Sequence, residues 1–493
     1  KSALAANTTA NHNVAVGKGA MQSNTTGATN VAVGGGALKE QTEGGNNVAV
    51  GYQALEEEVA GSRSVAVGYH ALTAQSFATA ANAGNVAVGY NCMKSNTTGA
   101  GNTAVGLAAL DTNTTADFNT AIGYLAMDAN TTGANNTAVG ASALDSNTTA
   151  SNNTAIGSAA LEANTTGTQN TAVGAEALDA NTTGNQNSGF GLSALGANTT
   201  GGDNAAFGRA ALASNTTASN NVAVGSSALL ANTTGSTNTA VGYQSLTANT
   251  TGSHNSAVGR TSLSSNTTAD DNTAMGSNAL ASNTTGASNT AVGRAALDSN
   301  TTASNNTAMG HNALGVNTTG AENVAVGAAA LKSSTTASNN VSIGYLSMED
   351  TTTGHSNVAV GHSAMEANTT GVANVAVGSG ALEGGSADSN TAIGQGAMQT
   401  GGGGGSNTAV GRLALSDLTS GDSNNALGFE ALEKVTSGNH NTGIGYRTGM
   451  TMTTASNNIL MGNFAGDAIT TGGNNTAIGY AALSSSTTGQ QNT

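Results

Sequence analysis

Apolar and polar positions alternate in short bursts along this chain, and the bursts return at a fixed interval. In Asn136-Thr137-Ala138-Val139-Gly140, and again in Asn153-Thr154-Ala155-Ile156-Gly157, a branched residue alternates with alanine before a glycine. Following that glycine from Gly17 to Gly479 gives 28 positions, and the step is 17 residues everywhere except Gly68 to Gly89 (21) and Gly378 to Gly394 (16). A short fixed period is the mark of a solenoid, in which each repeat packs only on its neighbours.

Each column of the repeat reads as an environment. Four residues before the glycine stands Asn in 27 of 28 coils, with Ser64 the exception. The residue just before the glycine is always apolar, the one two before is Ala in 24 of 28, and the one three before is mostly Val or Thr. This alternation predicts a strand with Val14 and Val16 on one face and Ala15 on the other, and the larger residues are expected to face the core. Leu or Met recurs four residues after the glycine in 26 of 28 coils, Gly449 and Gly466 being the exceptions, and predicts a second inward row. The expected fold is all-β: a parallel β-solenoid (β-roll) of 17-residue coils with two short strands per coil.

Three features favour stacked strands over helices. The glycine column suits a bend with positive φ, Asn-Thr-Thr is turn chemistry, and no Pro interrupts a ladder that needs its N–H groups. With Val inward, Ala15, Ala32 and Ala49 face outward, where small side chains permit close approach. A homo-oligomer, preferably a trimer packed through this Ala column, is the expected partner arrangement.

Composition adds exclusions. Only 8% of the 493 residues are charged, the net charge is −15, and the 12 basic residues are scattered, so no footprint for nucleic acid exists. No apolar run predicts membrane insertion, and a single Cys excludes an intrachain disulfide framework. The Gly run at 401–405 lies between Gly394 and Gly411, which keep the period, so residues 1–493 are expected to form a single continuous solenoid of about 28 coils. Its uncapped first and last coils predict a fragment of a longer repetitive chain, at roughly 4.8 Å per coil a rod of roughly 130 Å.

The motifs Asn-Val-Ala-Val-Gly, Asn-Thr-Ala-Val-Gly and Asn-Thr-Ala-Ile-Gly closely resemble the head repeats of trimeric autotransporter adhesins, and the stretch 238–246 is similar to repeats of phage and bacterial fibre proteins. The resemblance covers all 28 coils and implies a left-handed parallel β-roll in a three-chain assembly. The usual head coil is shorter than 17 residues, and residues 1–493 show no coiled-coil stalk or anchor pattern, two departures from the motifs of that family.

Candidate chemistry is sparse. Tyr52, Tyr69, Tyr90, Tyr124, Tyr243 and Tyr345 directly follow the repeat glycine, as do Arg260 and Arg294, and this ridge is the candidate surface for a glycan or cell-surface receptor. Asp111, Asp128, Asp145, Glu162 and Asp179 share one column in five successive coils, where like charges must splay into water or share cations. The solvated edge is the reading favoured. Cys92 stands where other coils have Ala, and seven His residues lack a common spacing, so no catalytic residue, cofactor or metal is expected. Seventeen Asn-Thr-Thr triplets match the N-glycosylation pattern, against an Asn turn ladder. Their Thr rows raise ice binding, although adjacent Thr25 and Thr26 would point opposite ways in an extended segment. The expected function is a non-enzymatic extracellular fibre or adhesin shaft, at a cell surface or on a virion, mediating attachment or acting as a spacer; the alternative is an ice-binding or glycan-binding solenoid.

Overall fold

The computed structural model describes residues 2–401 and 403–493. It comprises two units, Lys1–Thr251 and Gly252–Thr493, built on the same plan. Each coil contributes one three-residue strand, such as Thr137–Val139 or Thr273–Met275, and these strands pair in parallel with their sequence neighbours. Register follows the repeat, with Thr137 beside Thr154, Ala138 beside Ala155 and Val139 beside Ile156. The chain is therefore an all-β parallel solenoid of about 17 residues per turn. At the 21-residue step one additional short pair forms, Gly61–Ser62 with Ala81–Asn82.

The glycine that closes each strand is required twice over. Gly140 sits at φ 143°, and a Cβ there would overlap the carbonyl of Gly157 in the next coil. Beyond it the chain does not form a second strand. Residues 141–146 are a run of turns in which Ser142 (φ 52°) and Leu144 (φ 57°) are left-handed. Their amides point alternately along the axis: Ser142 N–H donates to Tyr124 O (2.9 Å) in the preceding coil, and Leu144 N–H to Ala160 O (2.9 Å) in the following one. A left-handed L-residue costs about 1–2 kcal/mol, and full burial of its side chain returns about 1.5–3 kcal/mol. Leu144 has no exposed surface, so the second inward row exists as read, carried by turns rather than by a strand.

The orientation of the strand is the reverse of the expectation. Ala138, Ala155 and their counterparts are fully buried within the chain, whereas Val139 is half-buried and Ile156 exposed. The Ala column cannot carry contacts between chains. Its physical reason is the narrowness of a 17-residue coil, in which one Leu row already fills the space under the strand and only a methyl fits opposite. Where the strand carries Leu460 instead of Ala, the facing positions are Gly449 and Gly466, where a Cβ would lie 2.9–3.0 Å from Leu460 side-chain carbons. Interior volume is thus conserved, as close packing requires.

Candidate functional site

Two buried asparagine columns bind the coils to one another. In the column before the strand, Asn136 Nδ2 donates to Ala150 O (2.8 Å), while its Oδ1 accepts the backbone N–H of Asn153 (2.9 Å) in the next coil. In the Asn-Thr-Thr column, Asn147 Nδ2 donates to Asn130 Oδ1 (2.8 Å) and to Ala150 O (3.0 Å), and Asn164 Nδ2 donates back to Asn147 Oδ1 (3.1 Å). Buried amides satisfied in this manner specify register at little desolvation cost.

These bonds decide the glycosylation question for the folded chain. Every Asn-Thr-Thr asparagine from Asn24 to Asn368 is fully buried, and only Asn7 is exposed. The first Thr of the triplet is occupied too, Thr131 Oγ1 donating to Thr148 O (3.0 Å), which leaves the second, such as Thr132, as the one exposed hydroxyl row. A paired Thr face of the kind expected for ice binding is absent from this column.

The most extensive feature is the outer face of the strands. In the first unit it runs from Val14 and Val16 to Thr239 and Val241, and in the second from Ser256 and Val258 to Thr476 and Ile478. Val88, Ile122, Ile156, Phe207, Met275 and Leu427 on this face each expose between 36% and 49% of their surface. No charged residue occupies either outward column in any of the 28 coils. Monomeric proteins rarely expose contiguous apolar patches above about 300–600 Å²; here the column before the glycine is apolar in every coil, whereas the column three before it is Thr, Ser or Asn in 16 of 28. Sequence reasoning places these valines inside, and so misses the face they expose.

The ridge residues are all exposed, but only some meet. Tyr52 and Tyr69 stack at 5.4 Å between ring centroids, Tyr69 and Tyr90 at 5.1 Å, and His70 lies 4.1 Å from the Tyr69 ring. Tyr345 tilts against His362 at 5.5 Å. Arg294 Nη1 lies 3.3 Å from His311 Nε2. Tyr124 stands between Leu107 and Ala141 in the same column, while Tyr243 and Arg260 fall in different units. Among the candidate ridge residues, stacked aromatic contacts therefore join Tyr52, Tyr69 and Tyr90, and the same column carries a second stacked pair, Phe429 and Tyr446, at 5.3 Å.

The acidic row is only partly solvated. Burial raises the carboxyl groups of Asp111, Asp128, Asp145 and Asp179 above the ordinary carboxylate value, and neighbouring carboxylates add to this at the last three. Lys94, one coil earlier in the same column, opposes the effect at Asp111. Oδ1 of Asp111 and of Asp128 is enclosed without a hydrogen-bond partner.

Cys92 is fully buried, and burial pushes its thiol up to about 12, which suppresses the reactive thiolate. Among the described residues, no three His, Cys, Asp or Glu side chains gather as a metal-holding group, and no helix is long and apolar enough to cross a membrane. No family model matches the chain, and no curated protein matches it.

Proposed function

We propose that this chain is a structural module of an extracellular fibre or adhesin shaft, without catalytic activity, in which copies associate side by side through the outward Val/Thr and Val/Ile columns. The observation that carries the reading is the uncharged strand face, apolar in every coil at the column before the glycine. Burying each exposed Val, Ile, Met or Phe against a second copy contributes about 25 cal/mol per Å² of apolar area removed from water. A stripe repeated in every coil makes that gain additive along the axis. A homotrimer is the arrangement we favour. Three parallel copies around one axis each press a narrow stripe against two others, closing the symmetry so that no stripe remains exposed. The asparagine ladders support the same role, since they fix axial register over long runs of coils.

The reading is tested with lysines placed on the stripe. A variant carrying Val105→Lys, Val139→Lys and Val173→Lys retains its inward Ala, Leu and Asn columns, so its far-UV spectrum should match the parent. Sedimentation should nevertheless show the parent as a trimer and the variant as a single chain. A parent that sediments as a single chain at micromolar concentration, or a variant that remains assembled, overturns the proposal.

A further inference from the structure

Four coils alone carry glycine two residues after the repeat glycine, and they occur as two adjacent pairs: Gly19 with Gly36, and Gly380 with Gly396. In every other coil a side chain stands there, from Ser142 to Phe464, at the same left-handed φ. The missing side chains open the same gap twice, between the ridge column and the column five residues after the repeat glycine. The first groove, in the first unit, has a volume of about 370 Å³, and the second, in the second unit, about 330 Å³.

The two grooves share their chemistry although their sequences differ. At one end of the first lies the Tyr52 ring, 3.4 Å from where a Cβ on Gly35 would stand, and at the other end the Lys18 ammonium. The second has the His362 ring at one end and Arg412 at the other. Between these ends the floor is amide and carboxylate, joined in the first groove by the ion-paired Lys39 ammonium. In the first groove Glu56 Oε1 accepts from Lys39 Nζ (3.4 Å), and Gln22 Oε1 is enclosed without a hydrogen-bond partner. In the second, Gln399 Nε2 donates to Glu383 Oε2 (2.9 Å). A Cβ on Gly36 would stand 3.4 Å from Glu56 Oε1, and one on Gly380 3.1 Å from Glu383 Oε2, so the glycines face directly into this polar floor.

We propose that both grooves bind acidic oligosaccharides lying along the coil axis across two or three coils. A sugar ring presents an apolar face suited to the aromatic end. Its hydroxyls both donate and accept, which matches a floor of mixed Gln and Glu groups. A uronate or sialate carboxylate then reaches the cation at the far end. The grooves lie in columns apart from the apolar stripe, so the proposal stands whether or not the copies assemble as described above.

The experiment is calorimetric titration of the full chain with a hexauronate and with sialyllactose, and with cellohexaose as the neutral control. At least one acidic probe should bind at two sites per chain, and cellohexaose at least about tenfold more weakly. Gly36→Gln plugs the first groove with a residue that Gln53 shows to be tolerated at this position, and Gly380→Gln plugs the second. Each should reduce the stoichiometry to one, and the double variant to none; the left-handed φ of 73° and 63° at these positions disfavours a side chain, so each variant should remain folded with a slightly lower unfolding temperature. Lys18→Gln combined with Arg412→Gln should weaken binding about tenfold while leaving two sites. Absence of binding by both acidic probes at millimolar concentration, equal affinity for cellohexaose, or a stoichiometry that survives both plugs overturns the proposal.

Discussion

Gly443 and Leu432 occupy one shared volume: a Cβ on Gly443 would lie 2.7 Å from Leu432 Cγ. Gly443 stands in the strand column that is Ala in most coils, and the Leu432 side chain fills the room its missing methyl leaves. Strand and turn rows therefore face each other directly across each coil, and the size of one dictates the size of the other.

The consequence is testable at Ala155. Replacing it by Leu overfills the coil and should destabilise by about 1–3 kcal/mol, read as faster amide exchange in coils 140 to 174. Adding Leu144→Gly and Leu161→Gly reproduces the arrangement of Leu460 with Gly449 and Gly466, and should recover part of the loss. The two glycines also relieve left-handed φ at positions 144 and 161. If the triple variant exchanges faster than Ala155→Leu alone, the two rows do not trade volume as described.

The period, the strand and the second inward row are all legible in the sequence, because a 17-residue spacing forces identical residues into stacked columns. The direction of the strand is not. Residue size suggests that the valines are buried, but in so thin a coil the sign of burial is invariance. Positions filled almost wholly by Ala have no room to vary, whereas the column before the glycine ranges from Val to Phe190 and Phe207, which stack on the outside at 4.9 Å. That tolerance of size marks an open face. The aromatic ridge is legible as a column, yet its contiguity depends on which coils are adjacent: Tyr52, Tyr69 and Tyr90 stack, as do Phe429 and Tyr446, whereas Tyr124, Tyr243 and Tyr345 follow no aromatic residue in the coil before.

Asn147 links two neighbours through one amide, so its loss should be felt in three coils. Asn147→Leu leaves Asn130 Oδ1 without its donor, at about 1–3 kcal/mol for a buried orphan, and reduces Asn164 Nδ2 to its single bond to Gly167 O. The chain itself shows where the ladder ends: Asn317 Oδ1 has no partner, and Ser334 stands in the next coil. Further on the column turns apolar at Leu418, Val435, Met452 and Ile469, all buried. Val435→Asn should consequently destabilise as well, since neither neighbour offers an amide. Denaturant unfolding followed by hydrogen exchange in the affected coils distinguishes the cases; an unperturbed Asn147→Leu coil would deny the ladder its role.

Acidification should stabilise the coils that carry the acidic row. Asp111, Asp128, Asp145 and Asp179 hold their protons more tightly folded than unfolded, because folding desolvates them and, in all but Asp111, sets them beside other carboxylates. With the folded value raised, stability grows as pH falls from neutral through the raised values toward the unfolded value of about 4, and declines as pH rises. Asp128→Asn should raise the unfolding temperature at pH 7 and shrink its increase between pH 7 and pH 4.5. A parent whose stability falls over that interval would contradict the assignment, provided that the Asn variant responds identically.

Whether the outward stripe is an interface is tested most directly by the mass of the parent chain in solution. Light scattering at micromolar concentration should return three chain masses, little changed by salt, because the proposed contact carries no charged residue in either outward column. A single chain mass under those conditions would mean that the valines and isoleucines of the strand face remain in water, and would contradict the side-by-side assembly.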